Sequence, residues 1–304
     1  MSDKKRSFSL INFFENITTK QAIWIIIIVG FTVFFNALFN GFVWDDKVYI
    51  IFNPSIQKFN ISRFFASNIF NYVSYYRPIY AIYVSLLYNL FHNSVFFYHL
   101  PQILIHISNT ILLFLLLNKF FKKSISLFLS LIFLVHPMQV EAVSYIASSQ
   151  DVLFFFFGIL ALLIISRDEI ISLKKFTVIC FLLFLSILTK EAAVLFYLII
   201  FIYLVIFQRK KSTLNFLFGS IIPILVYVLL RFGLAKVYLI KIHAIPISQL
   251  SIAGRLTNIP AILFYYIKTF FYPSRFTIDQ LWVIKEITLK SFYIPLVIDL
   301  LFII

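Results

Sequence analysis

Apolar residues gather into long runs along this chain, at roughly 22–43, 95–118, 124–140, 152–166, 176–189, 192–207, 212–230 and 291–304. A weaker run covers 79–91. A hydrocarbon core of ~30 Å takes about 20 residues of helix at 1.5 Å each, so runs of this kind predict membrane-crossing helices. The pattern predicts an all-α, polytopic membrane helix bundle: one transmembrane domain over 1–304, with longer loops over 44–94 and 231–290. The 79–91 segment is short, and Tyr80, Tyr83, Ser85, Tyr88 and Asn89 make it amphipathic. It predicts a helix lying in the interface rather than spanning. The segment 258–272, with Tyr265, Tyr266 and Lys268, predicts a second such helix.

Composition agrees. The chain is 62% hydrophobic and only 12% charged, against about 25% charged in soluble domains. Mean hydropathy is +0.98. The net charge of +14 does not point to nucleic acid, because the lysines and arginines sit in small clusters between apolar runs. Lys4-Lys5-Arg6, Lys119 with Lys122 and Lys123, Arg167 with Lys174 and Lys175, and Arg209-Lys210-Lys211 are such clusters. All four fall on the cytoplasmic side if 79–91 does not span. The opposite, exterior side then receives both long loops. Cys180 is alone in an apolar run and predicts neither a disulfide nor a metal cluster. The N-terminal basic triplet before a long apolar stretch predicts an uncleaved signal anchor. The sequence stops at Ile304 inside an apolar run, and a C-terminally shortened chain is expected.

With that parity, Asp45, Asp46, Glu141, Asp151, Lys190 and Glu191 all come to the exterior end. An ionisable group at the centre of a membrane helix costs ~2.5–3.5 kcal/mol, so carboxylates gathered at one end suggest a site. The run 176–189 is about 21 Å long as a helix, which should leave Lys190 and Glu191 below the outer surface in a sunken cavity. Asp45 or Asp46, Glu141, Asp151 and Lys190 are expected to converge there, with Asp45 or Asp46 nearest to a basic residue.

Each residue has a bland reading beside the chemical one. Asp45 and Asp46 can take a proton from a hydroxyl or bind a cation, or can simply mark a helix end anchored by Trp44. Glu141 and Asp151 bracket a loop after His136-Pro137. They can hold an acceptor or a metal, or can cap helices. Lys190 suits a phosphate, unless Glu191 neutralises it. His99 and His106, seven residues apart on one helix face with Asn109 nearby, read as hydrogen-bonded core residues before they read as metal ligands. Arg77, Arg255, Lys268 and Arg275 are basic residues on the exterior side, where contact with lipid headgroups is the default.

Taken in order, the segments Phe42-Val43-Trp44-Asp45-Asp46 with Asn53-Pro54, Tyr76-Arg77-Pro78, Tyr98-His99-Leu100 with His106 and Asn109, His136-Pro137 with Val140-Glu141-Ala142-Val143, Asp151-Val152-Leu153, Thr189-Lys190-Glu191 and Tyr272-Pro273 with Phe276-Thr277-Ile278-Asp279 resemble the GT-C superfamily of polyprenyl-phosphate-sugar-dependent glycosyltransferases. The likeness is to the membrane part of the transmembrane and tetratricopeptide-repeat O-mannosyltransferases and their bacterial relatives. Ser149 stands where that family usually has Arg, and Gln102 where Asn is common. The resemblance implies an inverting transfer on the exterior side. Asp45 or Asp46 would act as base, and Lys190, Arg77 or Arg255 would hold the donor phosphate. Glu141, Asp151 and Glu191 would lie near the acceptor or a metal, and His99, His106 and His136 inside the bundle. The implied partners are a polyprenyl-phosphate-linked sugar, a protein or glycan acceptor and the bilayer, with no nucleic acid. A divalent cation is allowed; no nucleotide or redox cofactor is expected, in keeping with the lack of a Gly-rich phosphate loop. The competing classes are a transporter or lipid flippase, which would carry ionisable groups at mid-membrane as Asp299 does, and an inactive membrane scaffold.

Overall fold

A computed structural model describes residues 16–70, 74–167, 171–207, 210–238, 246–274 and 283–303. Lys4-Lys5-Arg6, Arg209, Arg275 and the 276–279 segment fall outside the described residues. The described chain is helical throughout, about 80%, with no strand. It packs as two units, 1–238 and 239–304.

In the first unit, α1 is Thr19–Phe34 and continues in a tighter turn to Phe39. It starts at a capping box: Gln21 N–H donates to Thr18 Oγ1 at 3.2 Å, and Thr18 N–H donates to Gln21 Oε1 at 2.8 Å. Short helices α2 (Pro54–Gln57) and α3 (Ile61–Ala66) follow, and then α4 (Pro78–Phe91). Proline at the first position of α2 and of α4 fixes φ where an N–H would go unpaired anyway. Next come α5 (Phe96–Leu117), α6 (Lys123–Val135), α7 (Gln139–Ser144), α8 (Ser149–Arg167), α9 (Leu173–Thr189), α10 (Val194–Ile206) and α11 (Lys210–Val228), the last widening into a looser turn to Leu234. Pro137 ends α6 two residues beyond Val135, because its ring and missing N–H cannot continue the ladder.

Among the described residues, four helices are long and apolar enough to cross a bilayer: 19–39, 96–117, 146–167 and 213–234. Helices of this length and hydropathy make the described chain a polytopic membrane bundle. The helix at 78–91 is among the shorter apolar ones, and its 14 residues reach only about 21 Å.

The bundle is centred on α5 and α8. α8 packs on α5 and α9, α5 on α1 and α6, and α9 on α11. Two glycines allow the closest approaches. A Cβ on Gly158 of α8 would stand 2.1 Å from the Phe196 ring of α10, and one on Gly219 of α11 would stand 2.3 Å from Phe176 of α9. With no aqueous driving force between helices in lipid, such close packing is what holds them. Polar side chains of α5 and α9 add hydrogen bonds to α8: Asn109 Nδ2 of α5 donates to Val152 O at 2.8 Å, and Ser186 Oγ of α9 donates to Phe154 O at 2.7 Å.

In the second unit, α12 (Pro246–Gln249) precedes α13 (Ile252–Phe271), and α14 (Ile294–Ile303) packs on α13. Ser251 caps α13 by accepting from Gly254 N–H at 3.2 Å. The expected helix at 258–272 therefore begins earlier, because a good N-cap lies upstream of the polar Thr257-Asn258 pair that interrupts the apolar pattern.

Candidate functional site

Trp44 has φ of 41°, a strained value for a side chain this large. The turn it makes throws the next two carboxylates in opposite directions. Asp46 is buried at 1% exposure. Its Oδ2 accepts from Val43 N–H at 3.0 Å and its Oδ1 from Ala147 N–H at 2.7 Å. Asp45 is exposed, while its N–H donates to Tyr145 Oη at 3.2 Å. The Trp44 and Tyr145 rings meet edge to face, 6.1 Å apart. The first loop is thus bolted to the segment between Glu141 and Asp151, a hundred residues away in sequence. Gln102 Nε2 of α5 holds that segment from behind, donating to Ala142 O at 2.7 Å and Tyr145 O at 2.9 Å.

Burial pushes the Asp46 carboxyl up to about 6. Its two backbone hydrogen bonds pull it back, and the charge of Asp45 adds a smaller rise. Tyr49 is pushed up to about 12 by burial and then by Asp45, and Tyr145 is raised by the same two causes. Both phenols stay protonated beside the aspartates.

The start of α8 and the end of α9 face each other across a charged ladder. Asp151 pairs with Lys190. One step along, Gln150 Oε1 accepts from Arg77 Nη1 at 2.7 Å. Arg77 also pairs with Glu191 Oε2 at 2.8 Å and lies over the Tyr75 ring at 3.7 Å. Glu191 Oε1 receives Arg231 Nη1 at 3.2 Å, and Arg231 also donates to Tyr227 Oη and Ser74 O, each at 2.8 Å. Arg77 and Arg231 are buried, whereas Asp151, Lys190 and Glu191 are half-buried. Three cations face two carboxylates in this ladder, leaving one positive charge.

Beside the Asp151–Lys190 pair opens a cavity of about 390 Å³. Glu141, Asp151, Lys190, His106, Asn109 and Gln139 give it polar walls; Phe133, Phe154 and Phe155 give it aromatic ones. Its volume lies within the ~300–1,000 Å³ range of ligand pockets.

Of the residues expected to meet at one cavity, Glu141, Asp151 and Lys190 do. Asp45 and Asp46 are not among its lining residues, because the Asp46 carboxylate is spent on fastening the first loop to Ala147. The expectation that one of these aspartates would stand nearest to a base is corrected as well. Among the described residues it is Asp151 and Glu191 that pair with cations. Lys190 and Glu191 do not neutralise each other; as neighbours at the extended end of α9 they face different partners. His99 and His106 take the core role: Nε2 of His99 meets Asn40 O at 3.1 Å, and Nε2 of His106 meets Leu134 O at 3.0 Å. His136 Nδ1 accepts from Met138 N–H at 3.2 Å. Arg255 belongs to the second unit, where it donates to Ser248 O at 2.7 Å and Leu250 O at 3.2 Å. Among the described residues no three His, Cys, Asp or Glu side chains gather as a metal-binding group.

Arg231, Gln150 and Tyr145 escaped the sequence reading. Arg231 closes an apolar run, the usual place for a loop-anchoring charge. Gln150 and Tyr145 acquire their roles only through contacts more than seventy residues distant.

The site is thus a net-positive ladder beside a polar cavity in a helical membrane bundle, and the family it matches is one of GT-C membrane glycosyltransferases. Residues 77–231, half of the chain, match the family model described as dolichyl-phosphate-mannose-protein mannosyltransferase, and the chain belongs to that family. The match begins and ends on the two arginines that share Glu191. It contains the ladder and the cavity, while Asp45 and Asp46 precede it. No curated protein and no solved structure matches the chain.

Proposed function

We propose that this membrane glycosyltransferase takes a sugar from a polyprenyl-phosphate donor and passes it, with inversion, to an acceptor hydroxyl on the exterior side. The observation that carries the reading is the single unmatched positive charge of the ladder, set against a cavity with polar and aromatic walls. A polyprenyl-phosphate sugar is a phosphodiester with one negative charge, which the ladder's excess cation matches; Glu141 stands apart from the ladder on the cavity wall. Lys190 and Arg77 are the ladder's donor-binding residues and Arg231 completes its charge, with the sugar entering the cavity beside Lys190.

Asp45 is the general base, and Asp46 is the residue that positions it. Asp46 has both oxygens occupied by backbone N–H groups, whereas the Asp45 carboxylate is exposed, has no cation partner among the described residues, and meets only the Tyr145 phenol. In the reaction Asp45 takes the proton of the acceptor hydroxyl. The oxygen forms a bond to the anomeric carbon as the bond from that carbon to the phosphate oxygen breaks. The electron pair of that bond leaves with polyprenyl phosphate, which gains a second negative charge. The ladder therefore binds the departing group more strongly than the bound donor, which is the condition for lowering the barrier.

The distribution of charge supports the exterior placement. Arg167 ends α8, and Lys174 and Lys175 begin α9, so the clustered lysines lie at the opposite end of these helices from Asp151 and Lys190. Clustered Lys and Arg mark the cytoplasmic side. A cysteine placed at Asn93 should be labelled from the exterior; cytoplasmic labelling would reverse the assignment. The function is tested by incubating the purified chain with polyprenyl-phosphate mannose and a hydroxyl acceptor. We expect release of polyprenyl phosphate and a product of inverted anomeric configuration. A retained configuration would contradict the single-displacement mechanism, and no release would contradict the donor class.

A further inference from the structure

His106 is a cavity side chain that the reaction leaves unused. His106 lies on α5 ten residues beyond Phe96, about 15 Å along the axis, and it is 1% exposed. It nevertheless lines the cavity. Phe34 holds its ring edge-on at 5.4 Å, and the Phe133 ring lies 5.5 Å away. Its Nε2 faces the Leu134 carbonyl at 3.0 Å. A carbonyl oxygen only accepts, so Nε2 carries the proton, and a neutral ring then offers Nδ1 as a lone pair. The tautomer is fixed by the fold, and the group left for a ligand is an acceptor.

Most of the other polar groups of the cavity share that bias. Glu141 and Asp151 accept, Asn109 Nδ2 is spent on Val152 O while its Oδ1 is buried without a partner among the described residues, and Lys190 is engaged with Asp151; Gln139 offers both a donor and an acceptor. A wall richer in acceptors than in donors, backed by Phe133, Phe154 and Phe155, suits a neutral ligand rich in hydroxyl donors, with an apolar face to rest on the rings. That is the chemistry of a pyranose. We propose that the cavity is the glycosyl subsite of the donor and that His106 Nδ1 accepts a hydrogen bond from one hydroxyl of the sugar, making His106 a specificity-determining residue. This rests on the reading that the donor phosphate sits on the ladder at Lys190, which places the attached sugar next to the cavity.

Two substitutions separate the two sides of the ring. His106→Gln keeps a donor where Nε2 meets Leu134 O and removes the acceptor. His106→Asn keeps an acceptor near the Nδ1 position and gives up the Leu134 bond. The probes are polyprenyl phosphate, polyprenyl-phosphate mannose and the mono-deoxy analogues of the latter, measured by equilibrium binding to the full chain in nanodiscs. In the parent, mannose should add affinity over polyprenyl phosphate, and one deoxy analogue should bind about tenfold more weakly, the size of one hydrogen bond lost. His106→Gln should bind that analogue and the full sugar equally, and His106→Asn should restore the difference even with a lowered melting temperature. Polyprenyl phosphate that binds as tightly as its mannosyl form would overturn the glycosyl subsite while leaving the phosphate reading intact. A deoxy penalty unchanged in His106→Gln would overturn the role of His106. Failure of polyprenyl phosphate and its mannosyl form alike to bind would overturn the phosphate reading, and the subsite with it.

Discussion

The aspartate turn at 44–46 and the ladder joining residues 77, 150–151, 190–191 and 231 use the same kind of side chain in opposite ways. In the ladder both carboxylates stand against cations, Asp151 with Lys190 and Glu191 with two arginines. In the turn neither aspartate has a cation partner among the described residues; one is held by backbone N–H groups and the other is exposed. A carboxylate beside a cation serves to balance charge; one without a cation beside it has no such duty. The comparison teaches that the acidic residues gathered at one end of the bundle form two devices, of which, on the proposed reading, one serves to move a proton and the other to hold an anion.

The largest effect should come from breaking the first device. Asp45→Asn is expected to lower transfer by about 10²–10⁴-fold, the usual contribution of a general base, measured as sugar transferred per unit time. Loss of less than tenfold would move the base elsewhere. Next is the second device. Glu191→Gln leaves Arg77 and Arg231 facing each other with no carboxylate between them. Removing one partner of a buried ion pair costs about 3–5 kcal/mol, and because Glu191 is half-exposed we expect the lower end, read as a fall in melting temperature in detergent.

The Asp46 carboxyl gives a pH signature that distinguishes the two regions. Its pKa rises from 3.8 to about 6 in the folded chain, so the folded state binds the proton more tightly than the unfolded state. Its contribution to stability is therefore greatest below pH ~4, falls as pH rises towards ~6, and is constant above that; the change is roughly 3 kcal/mol. Asp46→Asn mimics the protonated form. Its stability relative to the parent should therefore improve between pH 4 and pH 7, as followed by thermal melts across that range. A difference independent of pH would show that Asp46 does not titrate there. The smallest effect is expected at Tyr145→Phe, which removes the acceptor of the Asp45 N–H. A net loss of about 1 kcal/mol in stability and a few-fold drop in transfer should follow, with donor affinity unchanged.

Much of the fold is written in the spacing of apolar residues. The run at 95–118 is the helix Phe96–Leu117, and that at 176–189 is contained in Leu173–Thr189. The runs fail where capping or proline chemistry overrides hydropathy. Thr18 starts α1 ahead of its apolar stretch, and Pro137 cuts short a run expected to continue to 140. The site was half legible. Carboxylates at the ends of apolar runs are costly enough in a membrane to mark themselves, which singled out Asp45, Asp46, Glu141, Asp151 and Glu191. Their partners did not mark themselves. Whether Lys190 faces Glu191 or Asp151 depends on how the start of α8 lies against the end of α9. The capture of Asp46 by Ala147 N–H depends on a turn at Trp44 that no local pattern announces. Arg231 has no signal apart from its charge, and only its approach to Glu191 gives it a place in the site.

The division of labour between the turn and the ladder is tested most directly by donor affinity. Binding of polyprenyl-phosphate mannose would be measured for the parent, Asp45→Asn and Lys190→Ala under identical conditions. We expect Asp45→Asn to bind like the parent, and Lys190→Ala to bind at least several-fold more weakly because it has lost a charge facing the phosphate. Unchanged affinity in Lys190→Ala, together with weakened affinity in Asp45→Asn, would contradict the account.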